Sequence, residues 1–254
     1  MLVSSIFNIF KKKKKKYIST ETITNQNKRN METSTIFNFL NELKRNNNRE
    51  WFNENKPKYQ VAKKQFDDVV KQLIPEVAKI DNSIDMLEPK DCVFRIYRDV
   101  RFSKDKSPYK ENFGAVFAKG GRKSPYAGYY LHIEPGASFI GGGLHMPPSD
   151  ILKIARKEVF DYAEEFKEII FQQSFVDNFQ TIMGEKLKKA PRDFPNEFPD
   201  IELLKYKSYT IGKDVSDEIL QSPGAMKEII ATFAAMQPFI SFFNRAIEFY
   251  QEKS

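Results

Sequence analysis

FGAVFAKGGRKSPYAGYYLHIEPGASFIGGGLHM, residues 113–146, decides the fold. Three short apolar runs stand in it: FGAVFA (113–118), YYLHIE (129–134) and ASFIGGGLHM (137–146). AKGGRKSPYAG (118–128) reads as a flexible hairpin connection and Pro135-Gly136 as a tight turn, because Gly reaches positive φ freely and Pro presets φ. Strands joined this closely must run antiparallel, since a parallel crossover needs a dozen residues or more. Such a sheet leaves one face free for polar groups. Gly141-Gly142-Gly143 carries neither a following Lys-Ser/Thr nor G-x-G-x-x-G spacing, so it is no phosphate loop or dinucleotide fingerprint. Inside a strand such a run marks a bulge or the close approach of another backbone.

Working outward, CVFRIYRDVRFSKDKSPYKENFG (92–114) spaces Phe94, Ile96, Val100 and Phe102 evenly and is expected to lead the meander as a strand. Before it the period becomes helical. Ile36, Phe37, Leu40 and Leu43 form one stripe, with Thr33 or Ser34 as cap, and REWFNENK follows as a short helix. Tyr59, Ala62, Phe66, Val69, Leu73, Val77 and Ile80 form a second long stripe, with a kink or end expected at Pro75. After residue 146, Ser149 is expected to cap a helix carrying Ile151, Leu152, Ala155, Val159, Tyr162, Phe166 and Ile169. The Pro-rich stretch 190–200 precedes a strand near 203–212, and a helix from Ala225 to about Tyr250 is expected to be interrupted at Pro238. Helices, then sheet, then helices indicate α+β. The expectation is a single domain over 31–254, with an antiparallel meander at about 92–146 plus the strand near 203–212, packed by N- and C-terminal helices.

The formal charge of +7 is local. Residues 1–30 hold eight cations, among them Lys11 to Lys16, against Glu21 alone; of 41 Lys+Arg and 34 Asp+Glu, 33 of each remain in 31–254. A polyanion-coating surface needs a net basic footprint, so nucleic acid is disfavoured as a partner. A secretory signal has cations before its apolar core, and here the order is reversed. The apolar run is far shorter than the ~20 residues that span a bilayer. Residues 1–30 therefore read as a disordered basic tail or a mis-assigned start ahead of Met31, with weak membrane contact through residues 1–16 as a further use. Elsewhere no run is apolar enough to span, and a single cysteine, Cys92, fits a reducing, cytoplasmic setting.

Chemistry concentrates in 92–134. On a strand Arg95, Tyr97, Asp99 and Arg101 would share one face, with Arg98 on the apolar side; Tyr130, His132 and Glu134 share a face of theirs. Should both polar faces lie on one side of the sheet, they line a cleft over which Lys106 and Lys110 reach from the following loop. Arginine's planar fork suits carboxylate or phosphate. The ligand-binding candidates are thus Arg95, Arg98, Arg101, Lys106, Lys110, Tyr97 and Tyr130, and the acid/base candidates His132, Glu134 and Asp99. A metal on His132, Glu134 and His145 is not assigned: there are two histidines and no established ligand spacing. No cofactor is indicated. The competing account makes the same charges cross-strand ion pairs on a solvated face, each contributing little, in a non-catalytic protein-interaction module.

RIYRDVRFSKDKSPYKENFGA and GYYLHIEPGASFIGGGLHMP, with upstream NNNREWFNENKPKY and later ELLKYKSY, resemble the conserved family catalogued as domain of unknown function 2461. The likeness covers about residues 34–250. It implies a single soluble α+β domain of a kind found in bacteria and some fungi. The family has no established activity, so the resemblance carries no catalytic role onto these positions.

Overall fold

The computed structural model describes residues 31–253 apart from Asp85, so the tail expected at 1–30 and its membrane contact lie outside the described residues. Helices α1 (Ser34–Arg45), α2 (Arg49–Glu54) and α3 (Lys56–Ala78) come first, and a short α4 (Pro89–Cys92) follows. Strands β1 (Phe113–Phe117), β2 (Gly128–Ile133) and β3 (Phe139–Leu144) form the meander. Helices α5 (Ser149–Asp161), α6 (Ala163–Phe171), α7 (Gln173–Phe179) and α8 (Ile201–Leu204) lead to β4 (Tyr209–Asp214). A short α9 (Asp217–Leu220) and the long α10 (Ala225–Gln251) close the described chain. The sheet is antiparallel throughout in the order β1-β2-β3-β4, so the architecture is α+β with a four-stranded meander.

Period-two alternation sorts the sheet into two faces. Phe113, Ala115 and Phe117 lie opposite Ile133, Leu131 and Tyr129, and all six are buried. Helices α3 and α10 cover this inner face: Phe66 packs on Phe113 at 5.2 Å between ring centroids, and Phe233 on Tyr129 at 5.2 Å. Gly142 lets α10 approach, since a Cβ there would lie 2.9 Å from Met236 Sδ. The outer face carries Gly114, Val116, Tyr130, His132, Phe139, Gly141 and Gly212, and is only partly covered.

A buried amide ties α10 to the start of β2. Asn244 Oδ1 accepts from the Ala127 backbone N–H at 2.8 Å, and Nδ2 donates to the Ala127 carbonyl at 3.1 Å. The side chain thus acts as a strand neighbour for one residue. Asn244→Ala leaves both backbone groups unpaired in the core and is expected to cost about 2 kcal/mol of unfolding free energy. Urea denaturation measures it, and a loss below about 0.5 kcal/mol would mean that these bonds add nothing net.

Four local expectations need correction. The stretch 94–112 is not a ladder strand: its backbone shows only isolated bridges, Val93 to Ala115 at its start and Tyr97 to Tyr109 within it. Helix α3 continues through Pro75 and α10 through Pro238, each forgoing one backbone hydrogen bond while its apolar face stays packed. The stripe expected from Ile151 to Ile169 is divided into two helices at Tyr162. Ser149 is the first residue of α5 rather than its cap, whereas Thr33 does stand at the N-cap of α1, with its hydroxyl donating to the Leu220 carbonyl at 2.9 Å rather than bonding the helix. Cys92 is buried, and burial pushes its thiol up to about 12, so it packs as a small apolar residue. No helix of the described residues is long and apolar enough to cross a membrane.

Candidate functional site

The site is built where β1 and β2 present their outer faces. His132 lies opposite Gly114 on one side and Phe139 on the other. Its ring stacks on Phe139 at 4.5 Å and 19°. Nε2 of His132 lies 3.0 Å from Glu134 Oε2, and Nδ1 lies 3.1 Å from Tyr130 Oη and 3.3 Å from Asn112 Nδ2. The alternation of β2 puts these three side chains on one face, as expected from YYLHIE. Glu134 is held at the β2–β3 turn by Ser138, whose hydroxyl accepts its N–H at 3.0 Å and donates to its carbonyl at 2.8 Å. The Tyr130 hydroxyl lies flat on Gly114, where a Cβ would come within 2.4 Å of it. Burial, helped by the nearby Glu134 charge, pushes Tyr130 up to about 12.

The neighbouring wall is the segment 93–112. It leaves the edge of β1 after the Phe94 N–H bonds the Gly114 carbonyl at 3.0 Å, then doubles back on itself. Arg98 N–H bonds the Pro108 carbonyl at 3.0 Å and Lys110 N–H the Ile96 carbonyl at 2.8 Å. Asn47 clamps the returning limb: its Nδ2 donates to the Tyr109 carbonyl at 3.1 Å and to Glu111 Oε1 at 3.0 Å. Tyr109 stacks on Phe52 of α2 at 3.9 Å.

This doubling divides the expected cations into two sets. Arg101 grips Asp99 through Nε at 2.9 Å and Nη2 at 2.6 Å, and its guanidinium holds that carboxyl below the usual range. Arg98 pairs with Asp105, which also accepts from the Ser107 N–H at 2.9 Å. Lys106 donates to the Val100 carbonyl at 3.0 Å. Arg98, Arg101, Lys106 and Asp99 therefore serve the loop's own shape, and Asp99 engages Arg101 rather than the imidazole. Tyr97 turns toward Phe52 and Tyr109, at 6.1 and 5.6 Å.

Arg95 and Lys110 behave differently. Neither makes an ion pair or a side-chain hydrogen bond among the described residues, and the Lys110 ammonium lies 5.5 Å from the Phe94 ring centroid. Phe94 in turn meets Tyr130 edge-on at 6.2 Å. Burial first, and the Arg95 charge second, hold Lys110 below the ordinary lysine value. The Lys110 ammonium thus reaches the Tyr130 end of the row through Phe94, while exposed Arg95 acts on both Lys110 and the Asp99 carboxyl.

Asn112, Phe139 and Gly114 complete the row and were not sequence candidates. Asn112 stands directly before β1, and the other two reach His132 only through strand register. His145 is exposed beyond the end of β3, away from this row. Among the described residues no cluster of His, Cys, Asp or Glu has the makings of a metal site. A hollow of about 600 Å³ lies past the β2–β3 turn, lined by 136–138 and 214–218. Its carboxylates, Asp214, Asp217 and Glu218, give it the wrong sign for an anion, and Asp217 is occupied by the Gly136 N–H at 3.0 Å.

No curated protein and no solved structure matches the chain. A family model does match, across residues 35–242 and therefore through every strand and the whole Tyr130–His132–Glu134 row: the chain belongs to the family described as conserved hypothetical protein DUF2461.

Proposed function

We propose that the outer face binds a small anionic ligand, bearing phosphate or carboxylate, in a cleft where Arg95 and Lys110 hold the charge and His132 and Glu134 serve proton transfer. The observation that carries this is the half-buried Lys110 ammonium, which makes no ion pair among the described residues and feels the like charge of Arg95. Like charges kept together and partly desolvated are unfavourable in the free protein. An anion between them reverses the sign of that interaction. The surrounding loop pairs its other arginines, Arg98 and Arg101, internally. A cytoplasmic setting belongs to the same proposal, as does the omission of nucleic acid, on the 33-to-33 charge balance of residues 31–254.

Thermal denaturation with inorganic phosphate and sugar phosphates tests it. The melting temperature is expected to rise with ligand, and Arg95→Ala is expected to weaken binding about tenfold, the effect of one charge-assisted hydrogen bond. Arg101→Ala, already paired with Asp99, is expected to bind like the parent. A melting temperature indifferent to every anion would refute the proposal. A second account, a protein-interaction module, is favoured by Phe102, which stands 96% exposed on this internally paired loop. It requires that indifference, so one titration separates the two.

A further inference from the structure

The contacts of His132 have a polarity, and it fixes which way a proton moves. An ionised carboxylate only accepts hydrogen bonds, so Nε2, facing Glu134 Oε2 at 3.0 Å, must carry the ring proton. Nδ1 then offers a lone pair. Its two neighbours, Tyr130 Oη at 3.1 Å and Asn112 Nδ2 at 3.3 Å, are both able to donate to it. Tyr130 has one hydroxyl proton. Aimed at the imidazole, it leaves only oxygen lone pairs to face anything else on the outer face.

We propose that Tyr130, His132 and Glu134 form a general-base relay in which Tyr130 Oη is the atom that meets the ligand. The inference rests on the anion-binding reading above and names its ligand class: a phosphorylated or carboxylated small molecule with a hydroxyl, or with a water beside its ester, set against Tyr130. The step balances as one proton in and one along. The ligand or water O–H gives its proton to Tyr130 Oη, while the phenol's original proton passes to His132 Nδ1. The imidazolium so formed is neutralised by Glu134, and the deprotonated oxygen attacks the ester phosphorus or carbonyl carbon as the bond from that atom to the leaving oxygen breaks. The departing oxygen takes a proton from Tyr130 Oη, which recovers its own from His132 Nδ1, and the row is reset.

The surrounding geometry serves this arrangement. Gly114 gives the hydroxyl its seat, because a Cβ there would fall 2.4 Å from Oη. Phe139 fixes the imidazole plane by stacking. The high Tyr130 value keeps the phenol protonated at neutral pH, so its proton leaves only when another arrives. Tyr130 and His132 are the reacting groups; Glu134 and Gly114 are positioning residues.

The tautomer of His132 is the test, read from long-range proton–nitrogen correlations of ¹⁵N-labelled protein. The chain has two histidines, and exposed His145 is the internal control. His132 is expected as the Nε2–H form, enriched over His145 by about tenfold, the factor one charge-assisted hydrogen bond commands. Glu134→Ala is expected to relax it to the mixture of His145, and Glu134→Gln, which keeps an acceptor, to retain it. A proton on Nδ1 in the parent overturns the relay even should Glu134→Ala fail to fold, as does a tautomer unmoved by Glu134→Ala. Titrating the same sample with inorganic phosphate keeps the two proposals apart. An Nδ1–H ring with phosphate still bound removes the relay alone. An Nε2–H ring with silent Arg95 and Lys110 signals upholds the relay and removes its anionic ligand.

Discussion

Gly143→Ala is expected to cost at least about 4 kcal/mol, the largest loss from any single methyl added to this sheet. Two effects combine there. Gly143 has φ +108°, which side chains of L-residues rarely adopt. A Cβ on it would also lie 2.1 Å from the Tyr209 carbonyl oxygen, a backbone atom that no rotamer change can move. Relief requires β3 and β4 to part, and the register from Phe139–Asp214 to Leu144–Tyr209 parts with them. Tyr209 is fully buried against Phe243 at 4.8 Å, so its shift would open the core beneath α10. Gly136 separates the two contributions. It too has positive φ, +77°, yet nothing lies within 4 Å of its would-be Cβ. Gly136→Ala is expected to cost only about 1 kcal/mol, the conformational part alone. Guanidinium denaturation of both variants measures the difference. Equal losses would mean that the contact with Tyr209 O is not limiting.

The contrast between those glycines bears on what sequence patterns disclose. Alternation along β2 is legible because burial enforces it: Tyr129, Leu131 and Ile133 must point inward, which obliges Tyr130, His132 and Glu134 to point outward. The same logic misreads 94–102. Phe94, Ile96, Val100 and Phe102 keep the spacing of a strand, but Ile96 is 2% exposed and Phe102 96%, so they share no buried face. What shapes that segment is short-range charge pairing, Arg101 with Asp99 and Arg98 with Asp105, together with a return limb clamped by Asn47. Side-chain pairing of this kind has no periodic signature. For the same reason composition marks the segment as cationic without telling which cations are satisfied. Asn112, Phe139 and Gly114 meet His132 through register between strands, a property of pairing rather than of any one run. Pro75 and Pro238 are legible as helix breakers only in isolation; packing of Ile74, Val77, Phe239 and Ile240 outweighs each lost bond.

Removing both unpaired cations is expected to lower affinity for inorganic phosphate at least a hundredfold. Each charge-assisted hydrogen bond contributes about 1.5 kcal/mol or more, and about 1.4 kcal/mol is a factor of ten. The double variant Arg95→Ala/Lys110→Met is measured by calorimetric titration against the parent. Lys110 makes the outcome depend on pH, with a definite sign. Its ammonium is held below 10.5 in the free protein by burial and by Arg95. An anion bound beside it favours the charged form, so binding raises its value and takes up protons wherever the free lysine is partly neutral. Affinity should therefore fall as pH rises through the lowered value, before an ordinary lysine would begin to lose its charge. Stability runs the other way. A lysine whose folded value is depressed costs the folded state below that value, and the cost is relieved as pH climbs toward 10.5. Lys110→Met removes it, so the single variant is expected to be more stable than the parent near neutral pH while binding phosphate more weakly. A packing lysine would show the reverse, lower stability with affinity unchanged, and that pair of results would remove Lys110 from the site.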